Sequence, residues 1–281
     1  MAMPTFNSYD GTMLSYLVIG DGEPLVCYPG GPGRSVEYLG DLGGLSKSRR
    51  LVLLDPRGVG ESADPADPAS FGVDRLVHDV DALRVHLGFD RMDLLAHSAG
   101  SVLATLYAAA QPQRLSRLLL ITPGLAATGV DITEEELRAS LESRSTEPWY
   151  PSAIDAMERI MTGDRSMEAF HASRPFYYGR WDETARAHAA AGISERHQAA
   201  REGYFAGGAI DPPAIVAGLK SLTAPVLLYA GDLDPLVPPA LVKQAASVFP
   251  DASVIVQGGA GHFPWIDDPG TFADNVAAFL S

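Results

Sequence analysis

Six short segments made mostly of apolar residues recur along the chain: 25–28, 51–54, 92–96, 117–121, 225–230 and 252–256. They lack the apolar/polar alternation of a half-exposed strand, so each predicts a strand buried on both faces. Helical spacing lies between them. In 73–88 the apolar positions Val73, Leu76, Val77, Val80, Leu83 and Leu87 fall on one helical face, and helices are also predicted at 98–110, 239–249 and 269–280. Strands alternating with helices require a parallel sheet with helices on both sides. At the amino end, residues 4–19 read as two more strands joined by a two-residue turn at Asp10-Gly11. The expected fold class is therefore α/β, with a mostly parallel eight-stranded sheet.

The rhythm breaks once. Residues 124–220 hold helix-like runs at 133–144, 152–161, 182–202 and 212–220, with aromatic residues between them and no buried strand. The expected layout is a core domain of 1–123 and 221–281 carrying a helical cap, 124–220. Such an insertion belongs over the carboxyl ends of the strands, where open α/β sheets bind ligands. Its aromatics either form the cap's own core or line a pocket. Trp149, Trp181 and Tyr204, with Trp265 outside the cap, are taken as candidate substrate contacts.

Composition narrows the partners. The 281 residues carry 35 acidic and 21 basic side chains, a formal charge of −14, which disfavours nucleic acid and anionic lipid. No apolar run approaches a membrane span, no secretory signal is evident at the start, and the single Cys27 fits a reducing, cytoplasmic setting. No zinc-ligand spacing and no phosphate-binding G-x-x-x-x-G-K-[ST] loop occurs, so neither metal nor cofactor is expected.

The chemistry centres on Ala96-His97-Ser98-Ala99-Gly100, wedged between strand 92–96 and helix 98–110. Serine here is either a helix N-cap or a nucleophile on a strained strand-to-helix elbow, written G-x-S-x-G. Ala96 stands at the first glycine, a mild change where a small side chain is needed. A serine nucleophile requires a base, and the base requires an orienting carboxylate. Strand 225–230 runs into Gly231-Asp232-Leu233-Asp234-Pro235, and strand 252–256 is followed by Gly259-Ala260-Gly261-His262. The order Ser98, Asp234, His262 places all three on one rim of the sheet. Asp234 is preferred to Asp232, which is assigned to capping the turn. The oxyanion donors are assigned to the N–H groups of Ala99 and of Gly31, in the loop Pro29-Gly30-Gly31-Pro32-Gly33.

With these residues in place, the chain resembles the α/β-hydrolases, and among them the proline iminopeptidase family of serine peptidases. The family's oxyanion loop H-G-G-P-G corresponds to Pro29-Gly30-Gly31-Pro32-Gly33, and its D-Q-R-G-x-G-x-S to Asp55-Pro56-Arg57-Gly58-Val59-Gly60-Glu61-Ser62. Pro29, Pro56 and Ala96 depart from the pattern. The resemblance carries the roles of nucleophile, carboxylate and base onto Ser98, Asp234 and His262. It also implies an amine site built from cap acids, for which Glu202 in Glu202-Gly203-Tyr204-Phe205 and the acids of Trp181-Asp182-Glu183 are the candidates.

The expected function is a serine hydrolase that cleaves an ester or amide through an acyl-enzyme, with release of N-terminal proline from peptides as the specific form. The alternatives are a carboxylesterase, a lactone, thioester or C–C bond hydrolase acting on a small metabolite, or a non-catalytic ligand-binding protein on the same fold. Serine at the nucleophile position argues against alkyl-enzyme chemistry of the dehalogenase or epoxide hydrolase kind.

Overall fold

The computed structural model describes residues 3–164, 166–192, 197–206 and 210–281. Its strands are β1 (Thr5–Asn7), β2 (Met13–Ile19), β3 (Pro24–Tyr28), β4 (Arg50–Leu54), β5 (Met92–His97), β6 (Leu115–Ile121), β7 (Val226–Gly231) and β8 (Ala252–Gln257). They form one sheet in the order β1-β2-β4-β3-β5-β6-β7-β8. All neighbours from β4 to β8 are parallel, and only β1 and β2 run against their partners.

The inner strands carry no alternation because both faces are covered, whereas β8, predicted to be buried on both faces, lies at the sheet's edge with Ala252, Ser253 and Val256 exposed. Val26, Leu94, Leu118 and Leu228 enter one core, while Leu25, Leu95, Leu119 and Leu227 enter the other. Each fully buried side chain of this kind contributes roughly 1.5–3 kcal/mol. Against the faces pack α1 (Val73–His86) and α2 (Ala99–Ala110). Between β6 and β7 come α3 (Glu134–Glu142), α4 (Tyr150–Met161), α5 (Met167–Ala172), α6 (Glu183–Ala191), α7 (Gln198–Gly203) and α8 (Pro212–Leu219). Then follow α9 (Pro239–Ala246), the short α10 (Pro264–Asp267) and α11 (Pro269–Leu280).

Three sequence expectations need adjustment. The run 182–202 is two helices, α6 and α7, and its residues 193–196 lie outside the described residues. The last helix of the insertion, α8, buries Ile215 and Leu219 in the core shared with α2, so it lies against the sheet domain. The first hairpin is wider than a two-residue turn: Ser8 N–H donates to Thr12 O at 2.9 Å, Gly11 N–H to Ser8 O at 3.0 Å, and Gly11 adopts φ 84.

The hairpin is shaped around Arg57. This guanidinium is fully buried and donates to both Asp79 oxygens, Nε to Oδ2 at 2.7 Å and Nη2 to Oδ1 at 2.6 Å. Asp10, Thr12 and Ser70 accept its remaining N–H groups. Burial would raise the Asp10 carboxyl, but bonds from Arg57 and Thr12 outweigh it and hold the group at about 2. A buried charge is tolerable only when satisfied in this way, and the arrangement ties the hairpin to α1.

Candidate active site

Ser98 has φ 51 and ψ −124, a left-handed backbone conformation that serine rarely adopts. It occupies the N-cap position of α2, yet its side chain makes no capping bond. The turn is held from outside instead. Ser98 N–H donates to Ile121 O at 2.9 Å, and Gly124 N–H donates to Ser98 O at 2.9 Å. Sterics explain which glycine of the elbow survives. A Cβ on Gly100 would collide with the Pro29 carbonyl, whereas the methyl of Ala96 packs in the core, fully buried.

The freed hydroxyl faces His262. Ser98 Oγ lies 2.9 Å from His262 Nε2, and His262 Nδ1 lies 2.7 Å from Asp234 Oδ2. Asp234 is 1% exposed, and its other oxygen accepts the Leu236 N–H at 3.0 Å. Asp232 stands apart: its Oδ1 accepts the Ala260 N–H at 3.2 Å, a bond that steadies the loop before His262. The structure thus brings together the three side chains chosen from the sequence.

Gly31 and Ala99 flank the serine. Gly31 has φ 118 and lines the cavity above Ser98. Ala99 is the first residue of α2, so its N–H has no intrahelical acceptor. The Gly-Pro loop sits directly on the elbow: a Cβ on Gly30 would lie 2.8 Å from Ser98 Cβ and 2.7 Å from His97 O.

A supporting network escaped the sequence reading. Gly30 N–H donates to Tyr38 Oη at 2.6 Å, which turns the hydroxyl toward His97 Nδ1 at 2.7 Å. His97 Nε2 is left to donate to the His262 carbonyl at 3.0 Å, and the Thr122 hydroxyl donates to the same oxygen at 3.0 Å. Burial, reinforced by neighbouring His262, drives the His97 pKa well below its ordinary value, so the ring is neutral as this chain requires. His262 N–H donates to Tyr177 O at 2.8 Å. Asp267 accepts from Gly261 N at 2.7 Å and from Gly179 N at 2.9 Å, clamping the insertion to the histidine loop. Burial raises the Asp267 carboxyl, against the pull of these backbone donors. In the sequence only His97 had a signal, its place beside the serine.

Two lobes open from Ser98 and His262, with Leu236 between them. The first, about 160 Å³, lies under the insertion and is lined by Arg34, Arg174 and Arg201 with Phe170, Tyr177 and Phe263. The second, about 260 Å³, is apolar, walled by Val102, Leu125, Val130, Ile132, Phe205 and Leu241, with exposed Asp131 at its edge. None of the five candidate substrate contacts, Trp149, Trp181, Glu202, Tyr204 and Trp265, lines either lobe. Glu202 is exposed and accepts a hydrogen bond from Gln198 at 2.8 Å. Tyr204 is buried, its hydroxyl donating to Ala99 O at 2.7 Å, so it braces the start of α2. Trp149 packs edge-on to Phe176, Trp181 against Tyr178, and buried Trp265 against His97. Asp182 caps α6 through the Ala185 N–H, and Glu183 is exposed. Aromatic content marked the packing of the insertion; pocket-facing arginines were not singled out because Arg also serves on any solvated face.

Among the described residues no group of His, Cys, Asp and Glu could hold a metal ion, and no helix is long and apolar enough to cross a membrane.

A mostly parallel α/β sheet, with a strained serine, a histidine and an aspartate at its strand ends, defines a serine hydrolase. The chain belongs to the α/β-hydrolase fold family, whose model matches residues 23–269. It is similar to the proline iminopeptidase of Heyndrickxia coagulans, 25% identical over 271 residues that cover 93% of this chain and 92% of that one. It is also similar to that of Saccharolobus solfataricus, 38% identical over 167 residues, 59% of this chain and 52% of that protein. Solved structures share the fold: an esterase from Rhodococcus sp. ECU1013 has a TM-score of 0.75 at 23% identity, covering 100% of this chain and 98% of that one. The enol-lactonase of Burkholderia xenovorans LB400 has a TM-score of 0.71 at 23% identity, covering 99% of each chain. The fold class and the family resemblance read from the sequence are borne out.

Proposed function

We propose that Ser98 is the nucleophile of a two-step acyl transfer to water, with His262 as general base and Asp234 as its orienting carboxylate. Ser98 Oγ attacks the substrate carbonyl while His262 Nε2 takes its proton. The tetrahedral oxyanion is received by the Gly31 and Ala99 N–H groups, each such donor contributing about 10²–10³ in rate. His262 then gives the proton to the leaving group. Water, deprotonated by the same imidazole, hydrolyses the acyl-enzyme. Asp234 keeps the proton of neutral His262 on Nδ1 and stabilises the imidazolium. The observation that carries this reading is the unbroken series Asp234–His262–Ser98, at 2.7 and 2.9 Å, ending on a serine whose backbone strain aims the hydroxyl at the cavity.

The substrate is a small molecule or short peptide bearing an ester or amide, and the full-length likeness to a proline iminopeptidase supports an N-terminal prolyl peptide as the specific alternative. We also infer that the insertion 124–220 acts as the cap over this site, with α8 serving as its anchor on the core. We place the activity in the cytoplasm, on the strength of a lone buried cysteine, and the charge of −14 supports a protein without nucleic acid or membrane partners.

The test is labelling with a fluorophosphonate, which reacts only with an activated serine. The wild-type protein should take up one label, mapped to Ser98, and Ser98→Ala should take up none. Labelling elsewhere, or none in the wild type, would overturn the assignment.

A further inference from the structure

We propose that the substrate carries an anionic group, a carboxylate or its equivalent, seated against Arg201 in the first lobe, while an apolar group on the other side of the scissile carbonyl fills the second lobe. This inference deepens the serine hydrolase reading and rests on it.

Arg201 is the key residue. Its guanidinium lies over the Phe170 ring, 4.8 Å from the centroid, and makes no ion pair among the described residues. Two other arginines of the insertion have found acceptors. Arg144 donates to Tyr178 O and Gly179 O, and Arg159 pairs with Asp164 and Glu168. Arg201 instead borders the cavity over Ser98, together with Arg34 and Arg174. Arg34 is itself stacked on Tyr38 at 3.9 Å. Three guanidiniums converge on one small cavity in a chain whose acidic residues outnumber its basic ones 35 to 21. Among the described residues no Asp or Glu lines that lobe. Arg34 and Arg174 have partners of their own, so the charge that a bound anion would compensate is that of Arg201. Guanidinium is also the side chain best suited to bind a planar carboxylate through paired hydrogen bonds. A substrate ammonium placed there would meet repulsion.

The second lobe makes the complementary demand. Its walls are aliphatic and aromatic, and they meet the first lobe at Ser98 and His262. The scissile carbonyl therefore sits between an anion site and an apolar site.

The experiment uses two series of chromogenic or ultraviolet-detected esters. In the acyl series, 4-nitrophenyl hemiadipate is compared with the neutral heptanoate and a cationic 5-(trimethylammonio)pentanoate. In the leaving-group series, 4-acetoxybenzoate is compared with 4-methylphenyl acetate. The anionic member of one series should exceed its neutral partner in kcat/KM by about tenfold or more, as expected of a charge-assisted contact. This preference should shrink as salt is raised from low concentration to 0.5 M. Arg201→Gln should lose about ten- to a hundredfold on that anionic ester and less than about threefold on its neutral partner. Preference for the neutral or cationic member in both series, or an equal loss on both esters in Arg201→Gln, would overturn the proposal. The salt titration needs only the wild-type protein, so it decides the matter even if the variant folds poorly. Ser98→Ala on the neutral ester separates the two readings. Abolished turnover without anion preference rejects only the anion site, whereas retained turnover rejects the serine mechanism beneath it.

Discussion

Two arginines show how differently the floor and the roof of the site are built. Arg57, under the sheet's rim, has its N–H groups bonded to Asp79, Asp10 and hydroxyls, and it is sealed from solvent. Arg201, in the insertion, rests on a ring and faces a cavity. The first charge is closed by the protein and holds a hairpin to a helix. The second is left for something else to close. The same contrast separates the two regions as wholes. On the floor, Ser98, His262 and Asp234 hang from strand ends, and backbone atoms around them are tied by Ile121, Thr122, His97 and Asp267. The roof contributes side chains that line a cavity, and it is pinned to the floor along Tyr177–Arg180, at His188 and Tyr204, and through α8. The protein invests rigidity where bonds are to be broken and leaves chemical variety where substrates are to be told apart.

The contrast can be broken at the floor first. Asp234→Asn removes the carboxylate that fixes the His262 tautomer, and kcat should fall by about 10⁴-fold with KM little changed. A loss under tenfold would show that Asp234 is only a loop residue. Next comes Gly30→Ala. Its new methyl would press on Ser98 Cβ and His97 O, and kcat should drop at least about a hundredfold through the displaced oxyanion loop. The paired control lies in the roof. Gly163 has a positive φ, 106, where Gly30 has none, but a Cβ there meets nothing within 4 Å. Gly163→Ala should keep kcat within about twofold while lowering the melting temperature through backbone strain alone. Equal kinetic losses in the two glycine variants would erase the distinction between the regions.

The smallest expected effect concerns acid stability. His188 of α6 lies between the Tyr178 hydroxyl at 2.8 Å and Tyr38 O at 3.0 Å, and burial lowers its pKa to about 4. The unfolded chain, with an ordinary histidine near 6.5, binds a proton first as pH falls. Stability is therefore full above about pH 6.5 and is lost progressively as pH drops toward 4. Urea midpoints measured from pH 7 to 4.5 should fall less steeply in His188→Gln than in the wild type. Superimposable slopes would mean that His188 charges freely in the folded state.

The sequence spoke clearly about the floor because the floor is local. Apolar runs such as Leu51–Leu54 cannot be exposed, and the elbow, the carboxylate and the histidine each lie within five residues of a strand's carboxyl end. The roof depended on tertiary placement. Nothing in the local pattern around Glu202 says that its side chain turns to solvent and to Gln198. Nothing around Arg201 says that it turns inward. Asp267 and Thr122 were silent for the same reason: the partner that ties Asp267 to the insertion, Gly179, is 88 residues away, and the partner of Thr122 is 140 residues away. Even the first hairpin was misjudged in width because its shape answers to Arg57, distant in the chain.

The most direct test of the central claim is a rapid-quench experiment on 4-nitrophenyl acetate, read by intact-protein mass spectrometry. The account predicts a burst of nitrophenol and a transient acetyl adduct mapped to Ser98, with both absent in Ser98→Ala and turnover down by at least about 10³-fold. Steady hydrolysis by Ser98→Ala at the wild-type rate, or an adduct on any other residue, would contradict it.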